Sequence, residues 1–330
     1  MSSPPEYVIG CLGWGYNWDA DNIKGLLDRL EVAGIKHFDT ARFYPPSNSG
    51  ASEKLLGSVR RSDFVVDTKI LFRPEGLRRD LMEESLRQSL ESLGVTKVKT
   101  LYAHAPDKVT PIAEQAANFN HFYQAGYFEQ LGLCNYPPEQ LTEYIEISKE
   151  KGYVLPAIYQ GQYNIFCRQY ETDLFPLLRK HGIPFVANSP LAGGFATGKV
   201  SGTQDAEKLK GTRFEQSETN MLGFLYRMWY DKPVFHNAIG ELKSAVAQYQ
   251  GEATSSALAQ VAVRWLLFHS DLQSTDYVAI GPNNLAQLND YLEAREAGPL
   301  PDELAKNIDT LYEPLRDEAA PFVQIGWWSM

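Results

Sequence analysis

Eight short apolar runs punctuate this chain, and most of the stretches between them carry helical periodicity. The runs are VIGCLGWG (8–15), IKHF (35–38), FVVDTK (64–69), VKTLY (98–102), FEQLGLC (128–134), VLPAIYQ (154–160), IPFVAN (183–188) and YVAI (277–280). Between them Ile23, Leu26, Leu27 and Leu30 recur at helical spacing, as do Met82, Leu86, Leu90 and Leu93, and later Leu258, Val261 and Trp265. Strands that alternate with helices pair in parallel through crossovers, and eight repeats favour closing the sheet on itself. The expected fold is therefore α/β: a (β/α)8 TIM barrel, with residues 1–330 as a single domain. The rhythm breaks once, from about 189 to 276, where GGFATGKVSGTQDAEKLKG precedes the aromatic FLYRMWYDKPVF. Long insertions on a compact scaffold are usually lids or binding loops, so a long loop covering a ligand is expected after strand 7.

Composition narrows the setting. Hydrophobic residues make up 44% and charged residues 22% of the 330, as in an ordinary globular chain. No uninterrupted apolar stretch approaches the ~20 residues of a membrane span. A net charge of −10 argues against nucleic acid as a partner, because neutralising phosphates takes clustered Lys and Arg. The opening MSSPPEYVIG has no basic segment followed by an apolar one, and Cys11, Cys134 and Cys167 show no paired spacing. A reducing, cytoplasmic location is expected.

Four residues in the first third carry the chemistry: Asp39 and Tyr44 in HFDTARFY, Lys69 in VVDTKI and His104 in LYAHAPD. Each follows an apolar run, so each belongs where a barrel strand ends, and such ends converge on one mouth. A phenol beside an ammonium is a usable proton donor, because the cation favours the phenolate and lowers a free pKa of about 10. Asp39 is suited to keep Lys69 charged and fixed, and His104 to orient a substrate oxygen. Together they suit reduction of a carbonyl.

Other motifs are read against this set. Gly193, Gly198 and Lys199 in PLAGGFATGKV satisfy G-x-x-x-x-G-K, but Val200 stands where a magnesium-binding Ser or Thr belongs, so a nucleotide hydrolase is not expected. A Gly-rich loop with a nearby lysine still suits a dinucleotide pyrophosphate. No G-x-G-x-x-G follows an early strand, so a Rossmann site is not supported. Cys134, Asn135 and Gln160 also fall at strand ends, where amides can hold a carboxamide. The aromatics Trp14, Tyr16, Trp18, Phe43, Phe72, Trp229 and Tyr230 are expected around an apolar pocket that IGWWSM (325–330) either covers or leaves to dock on the barrel. No His/Cys cluster has metal-ligand spacing, so no metal is expected.

At these residues the chain resembles the aldo-keto reductase superfamily, and looks most like its aflatoxin-aldehyde and succinic-semialdehyde reductase branch. DTARFY with SEKLLG, DTK, YAHAPD, GYFEQLGLCNY, YQGQYNIFCRQYETDLFPLLR, PLAGGFATGK and GPNNLAQL follow the family's order over nearly the whole chain. The resemblance implies NADPH as cofactor, held across the mouth of the barrel beneath the long loop after strand 7. Tyr44 would be the general acid, tuned by Lys69 and Asp39, with His104 positioning the carbonyl. Cys134, Asn135, Gln160 and Asn188 would face the nicotinamide. Ser189, Pro190, Leu191, Gly193 and Lys199 would meet the pyrophosphate, and Arg213, Arg227, Gly281, Asn283 and Gln287 the adenosine end. Trp14, Phe43, Phe72, Trp229 and Tyr230 would meet a carbonyl substrate with an apolar or aromatic portion.

Departures from the family pattern fall at Cys134, Asn188, Asn283 with Asn284, and Tyr291, all on the cofactor's side of the site. Relatives of this branch often form homodimers. Two other readings stay open at the level of sequence: an NADPH-binding regulatory subunit, and a non-redox lyase, dehydratase or isomerase that reuses Tyr44 and Lys69.

Overall fold

The computed structural model describes residues 3–203, 205–215 and 220–319; IGWWSM lies outside them. Eight strands close a parallel barrel in chain order: β1 (Glu6–Gly10), β2 (His37–Asp39), β3 (Val65–Lys69), β4 (Val98–Ala103), β5 (Phe128–Cys134), β6 (Pro156–Gln162), β7 (Phe185–Asn188) and β8 (Tyr277–Ile280). Closure is made by β1 on β8, where Glu6 to Ile9 pair with Tyr277 to Ile280. The first strand is earlier and shorter than the run VIGCLGWG suggested. Residues 11–15 leave it in turns, with the Trp14 amide bonded to the Cys11 carbonyl at 3.0 Å, which swings this loop over the mouth.

Strand alternation sorts residues into two layers. Phe38, Val66, Leu101 and Leu133 point outward into a core shared with the surrounding helices. Tyr102, Cys134, Ile158, Val186 and Ala279 point inward and fill the barrel. The first two of the three periodic stretches appear as α1 (Ile23–Val32) and α3 (Arg79–Leu93), with their predicted apolar positions buried. Between them lies α2 (Ala51–Val59), and α4 (Ile112–Gln124), α5 (Pro138–Lys151) and α6 (Leu174–His181) follow the next strands. Gly94 ends α3 in the left-handed conformation, as C-terminal glycines commonly do.

The interval after β7 is largely helical. It holds α7 (Ala206–Leu209), α8 (Met221–Tyr230), α9 (Pro233–Gln250) and the crossover helix α10 (Ser255–Phe268), and α11 (Leu285–Glu296) and α12 (Asp302–Thr310) follow β8. FLYRMWY is therefore helix α8, laid across the barrel's mouth, and Pro233 opens α9 at a position that needs no amide donor.

Candidate active site

The four proposed groups meet at the C-terminal ends of β2, β3 and β4. Asp39 is the last residue of β2 and Lys69 the last of β3, and both face inward because their neighbours Phe38 and Thr68 face out. Lys69 is fully buried and donates to Asp39 Oδ1 at 2.5 Å and to the Thr40 carbonyl at 3.0 Å. Its ammonium lies 5.3 Å from the ring centres of both Tyr44 and Tyr102, a cation held by two aromatic faces. Gln160 donates a further bond to Asp39 Oδ1 at 3.3 Å. The Tyr44 hydroxyl is 3.4 Å from His104 Nε2. The backbone carbonyl of His104 accepts from Asn135 Nδ2 at 3.0 Å, tying β4 to β5 at the mouth.

Electrostatics assign each group a protonation state. Burial pushes Lys69 towards the neutral amine, but Asp39, with smaller contributions from Tyr44 and Cys134, outweighs it and holds the ammonium above its ordinary range. Burial raises Asp39, and Lys69 pulls it back. Burial also pushes Tyr44 up to about 12; Lys69 lowers it and Asp39 raises it. The lowering expected from the cation is thus present but smaller than the desolvation that opposes it, so the phenol keeps its proton at neutral pH. Burial, aided by the charge of Lys69, holds the His104 imidazole well below its usual range and therefore neutral.

Above these groups opens a cavity of about 630 Å³. Asp39, Phe43, Tyr44, His104, Asn135 and Gln160 line one end. Asn188, Ser189, Pro190, Leu191, Gly193 and Lys199 form the next wall, and Arg213, Gly281, Asn283 and Gln287 the far end. Among the described residues, three of the four non-glycine residues with positive φ are Asn135, Ser189 and Ala192, all at this mouth. Such backbone costs ~1–3 kcal/mol and clusters where a ligand is clamped. Gly193, at φ 69°, has the Tyr226 ring where a side chain would begin, so the loop's close approach requires glycine. Arg213 donates to the Tyr226 hydroxyl at 2.9 Å, which fixes that cation at the rim.

Several expected contacts lie off the wall. Trp14 is 1% exposed and packs edge-on against Phe38, 5.7 Å away, because its loop turns it beneath the barrel's rim. Trp18 is buried and donates to the Pro282 carbonyl, while Tyr16 faces solvent. On α8, Trp229 lines the cavity, but its neighbour Tyr230 turns under the helix, where its hydroxyl accepts from Gln162 at 2.6 Å. Arg227 bonds the Phe214 carbonyl at 2.7 Å and so braces the loop rather than the cavity. Cys134 is buried below the wall, and Phe72 stands behind Phe43 and His104 at 6.2 and 6.3 Å.

Residues that sequence reasoning passed over also line the cavity, among them Gln162, Lys210, Tyr226, Ser255, Ser256 and Asp290. Gln162 lies two residues beyond Gln160 on the same face of β6, a signal that strand alternation carries. Ser255 and Ser256 open α10, capped by Thr254, another legible cue. Lys210 comes from a polar passage with no periodicity to place it.

Residues 9–313 match the family model described as the aldo/keto reductase family. The chain belongs to the aldo/keto reductase family. An aldo-keto reductase of Pseudocercospora fijiensis is 34% identical over 306 residues, covering 90% of this chain and 99% of that protein. The rat aflatoxin B1 aldehyde reductase member 2 is also 34% identical over 306 residues, 90% of this chain and 81% of the relative. The human aflatoxin B1 aldehyde reductase member 4 is 33% identical over 310 residues and 90% of each chain. As an aldo/keto reductase this chain is an oxidoreductase of carbonyl compounds on a (β/α)8 barrel. No helix among the described residues is long and apolar enough to cross a membrane, and none of their His, Cys, Asp and Glu side chains group to hold a metal.

Proposed function

We propose that this protein reduces an aldehyde or ketone to an alcohol with NADPH, using Tyr44 as the proton donor. The observation that carries the reading is the Tyr44 phenol itself, still protonated at neutral pH, facing the cavity beside a neutral imidazole and above a buried ammonium.

The cavity suits an extended dinucleotide. Amides of Asn135 and Gln160 at the tetrad end match a carboxamide, and Lys199, Lys210 and Arg213 further along match phosphates. When bound, the cofactor would supply a hydride to the carbonyl carbon. Neutral His104 and the Tyr44 hydroxyl would hold the carbonyl oxygen. As negative charge grows on that oxygen, Tyr44 would transfer its proton, and the ammonium of Lys69 would stabilise the phenolate left behind. Asp39 keeps Lys69 in place and charged throughout. Phe43 and Trp229 would offer flat apolar walls to a substrate with an apolar or aromatic portion.

The test is NADPH consumption with 4-nitrobenzaldehyde and a panel of aldehydes and ketones. Tyr44→Phe should lower kcat by ~10²–10⁴ while NADPH still binds, as followed by protein fluorescence. Full activity in Tyr44→Phe, or no turnover by wild-type protein that binds NADPH, would remove the proposal.

A further inference from the structure

Glu53, in the SEKLLG stretch, has no part in the chemistry above, yet it is a carboxylate with no exposed surface. Burying an ion pair costs more than packing apolar groups of the same volume, unless the geometry and the hydrogen bonds are complete. A charge kept at such a place invites a specific reason.

The contacts of Glu53 supply one. From the first turn of α2 it reaches two segments that each carry a proposed catalytic group. Its Oε1 accepts from the Thr68 hydroxyl at 2.6 Å, and Thr68 is the outward-facing neighbour of Lys69 on β3. Its Oε2 accepts from Arg42 Nη1 at 3.2 Å, and Arg42 stands two residues before Tyr44. Ser89 of α3 completes the carboxylate's hydrogen bonds.

Arg42 is itself woven into the tetrad's scaffold. Its amide donates to the Lys69 carbonyl at 3.1 Å. Its guanidinium lies over Gly50, at φ 86°, where a Cβ would come within 2.1 Å of Nη1. Gly50 and Ser52 in turn donate their amides to the Tyr44 carbonyl at 3.0 and 3.2 Å. One carboxylate therefore braces the back of the strand that ends in Lys69 and the loop that presents Tyr44.

We propose that Glu53 is the positioning residue that holds the Tyr44 phenol in register with the Lys69 ammonium, acting through Thr68 on one side and Arg42 on the other. The inference rests on the reading of Tyr44 and Lys69 given above. A misplacement of about 1 Å at the reacting atoms costs ~10²-fold in rate. Releasing either arm of Glu53 should thus slow the chemical step without touching the cofactor's own contacts.

Three variants test this: Glu53→Gln, Thr68→Val and the double variant. Turnover, NADPH affinity and the ring-labelled tyrosine NMR spectrum are measured on each, with the Tyr44 signal assigned by its loss in Tyr44→Phe. Glu53→Gln should lower kcat about 100-fold and Thr68→Val about 10-fold, with NADPH affinity within about two-fold of wild type. The double variant should be no slower than Glu53→Gln, because the two residues act as one unit. The Tyr44 signal should move in each, whether or not substrate is turned over.

If Glu53→Gln is too unstable to study, Thr68→Val removes a single hydroxyl and carries the test alone. A folded variant with reduced thermal stability but wild-type kcat and an unmoved Tyr44 signal overturns the inference and leaves Glu53 as fold support only. A wild-type protein without turnover whose Tyr44 signal still moves in Glu53→Gln would overturn the catalytic reading and leave the positioning role standing.

Discussion

At the scale of single residues, burial and pairing pull titratable groups in opposite directions, and two histidines show both outcomes. His37 Nε2 lies 2.7 Å from the Asp67 carboxylate. Burial lowers His37, but the charge and hydrogen bond of Asp67 raise it further, so the net direction is up. Its contribution to stability is then complete below the unfolded value of about 6.5 and lost as pH rises through the higher folded value. His104 has the reverse sign. Its buried imidazole resists a proton that the unfolded chain accepts, so stability is lost as pH falls through about 6.5. Urea unfolding between about pH 5.5 and pH 8.5 should show His37→Gln destabilised most at the acid end. His104→Gln should instead flatten the acid loss. A constant offset for either variant across that range would refute the assignment.

At the scale of elements, the late part of the barrel depends on one buried carboxylate that joins a strand, a helix and the approach to the last strand. Asp276, fully buried just before β8, accepts from the Phe185 amide at 2.8 Å and the Gln273 amide at 2.7 Å. It also takes Arg179 of α6 through both Nη1 at 2.8 Å and Nη2 at 2.5 Å. β7, α6 and the approach to β8 are thereby locked together where β1 closes the sheet. Asp276→Ala strands a guanidinium and two amides, and should cost about 3–5 kcal/mol in urea unfolding. A loss below about 1 kcal/mol would mean that the strands are held by packing alone. Packing is certainly dense in the interior: Tyr102 lies across Gly132 so closely that a Cβ there would come within 2.2 Å of the ring.

At the scale of the whole molecule, cavity and barrel are one object, since the wall runs from β2 round to α11 and is roofed by α8. A ligand spanning that wall binds only the folded chain and raises its stability by mass action. NADPH at about 100 times its dissociation constant should add about 2.7 kcal/mol, seen as a rise in Tm. NADH, lacking one phosphate for Lys199, Lys210 and Arg213 to meet, should need a higher concentration for the same rise. An equal response to both would remove the preference for NADPH.

Much of this was legible in the chain. Inward and outward sorting along VVDTK, and the placement of Asp39, Lys69 and His104 at strand ends, follow from a period of two, a local property that the residue order carries. The alternation of runs and helices carried the barrel for the same reason. What the order could not carry was which side of an irregular segment faces the cavity. Trp229 and Tyr230 are neighbours of like character, yet one lines the wall and the other lies beneath it, because only the docking of α8 on the barrel decides. Trp14 and Arg227 moved off the wall on the same grounds. The protonation of Tyr44 was likewise settled in three dimensions: sequence names the cation beside it, but the larger effect, loss of water around the phenol, exists only once the barrel has closed. Local periodicity thus determined the scaffold and brought the candidate groups to its mouth, whereas desolvation and long-range packing, which depend on contacts between distant parts of the chain, decided their state and their surroundings.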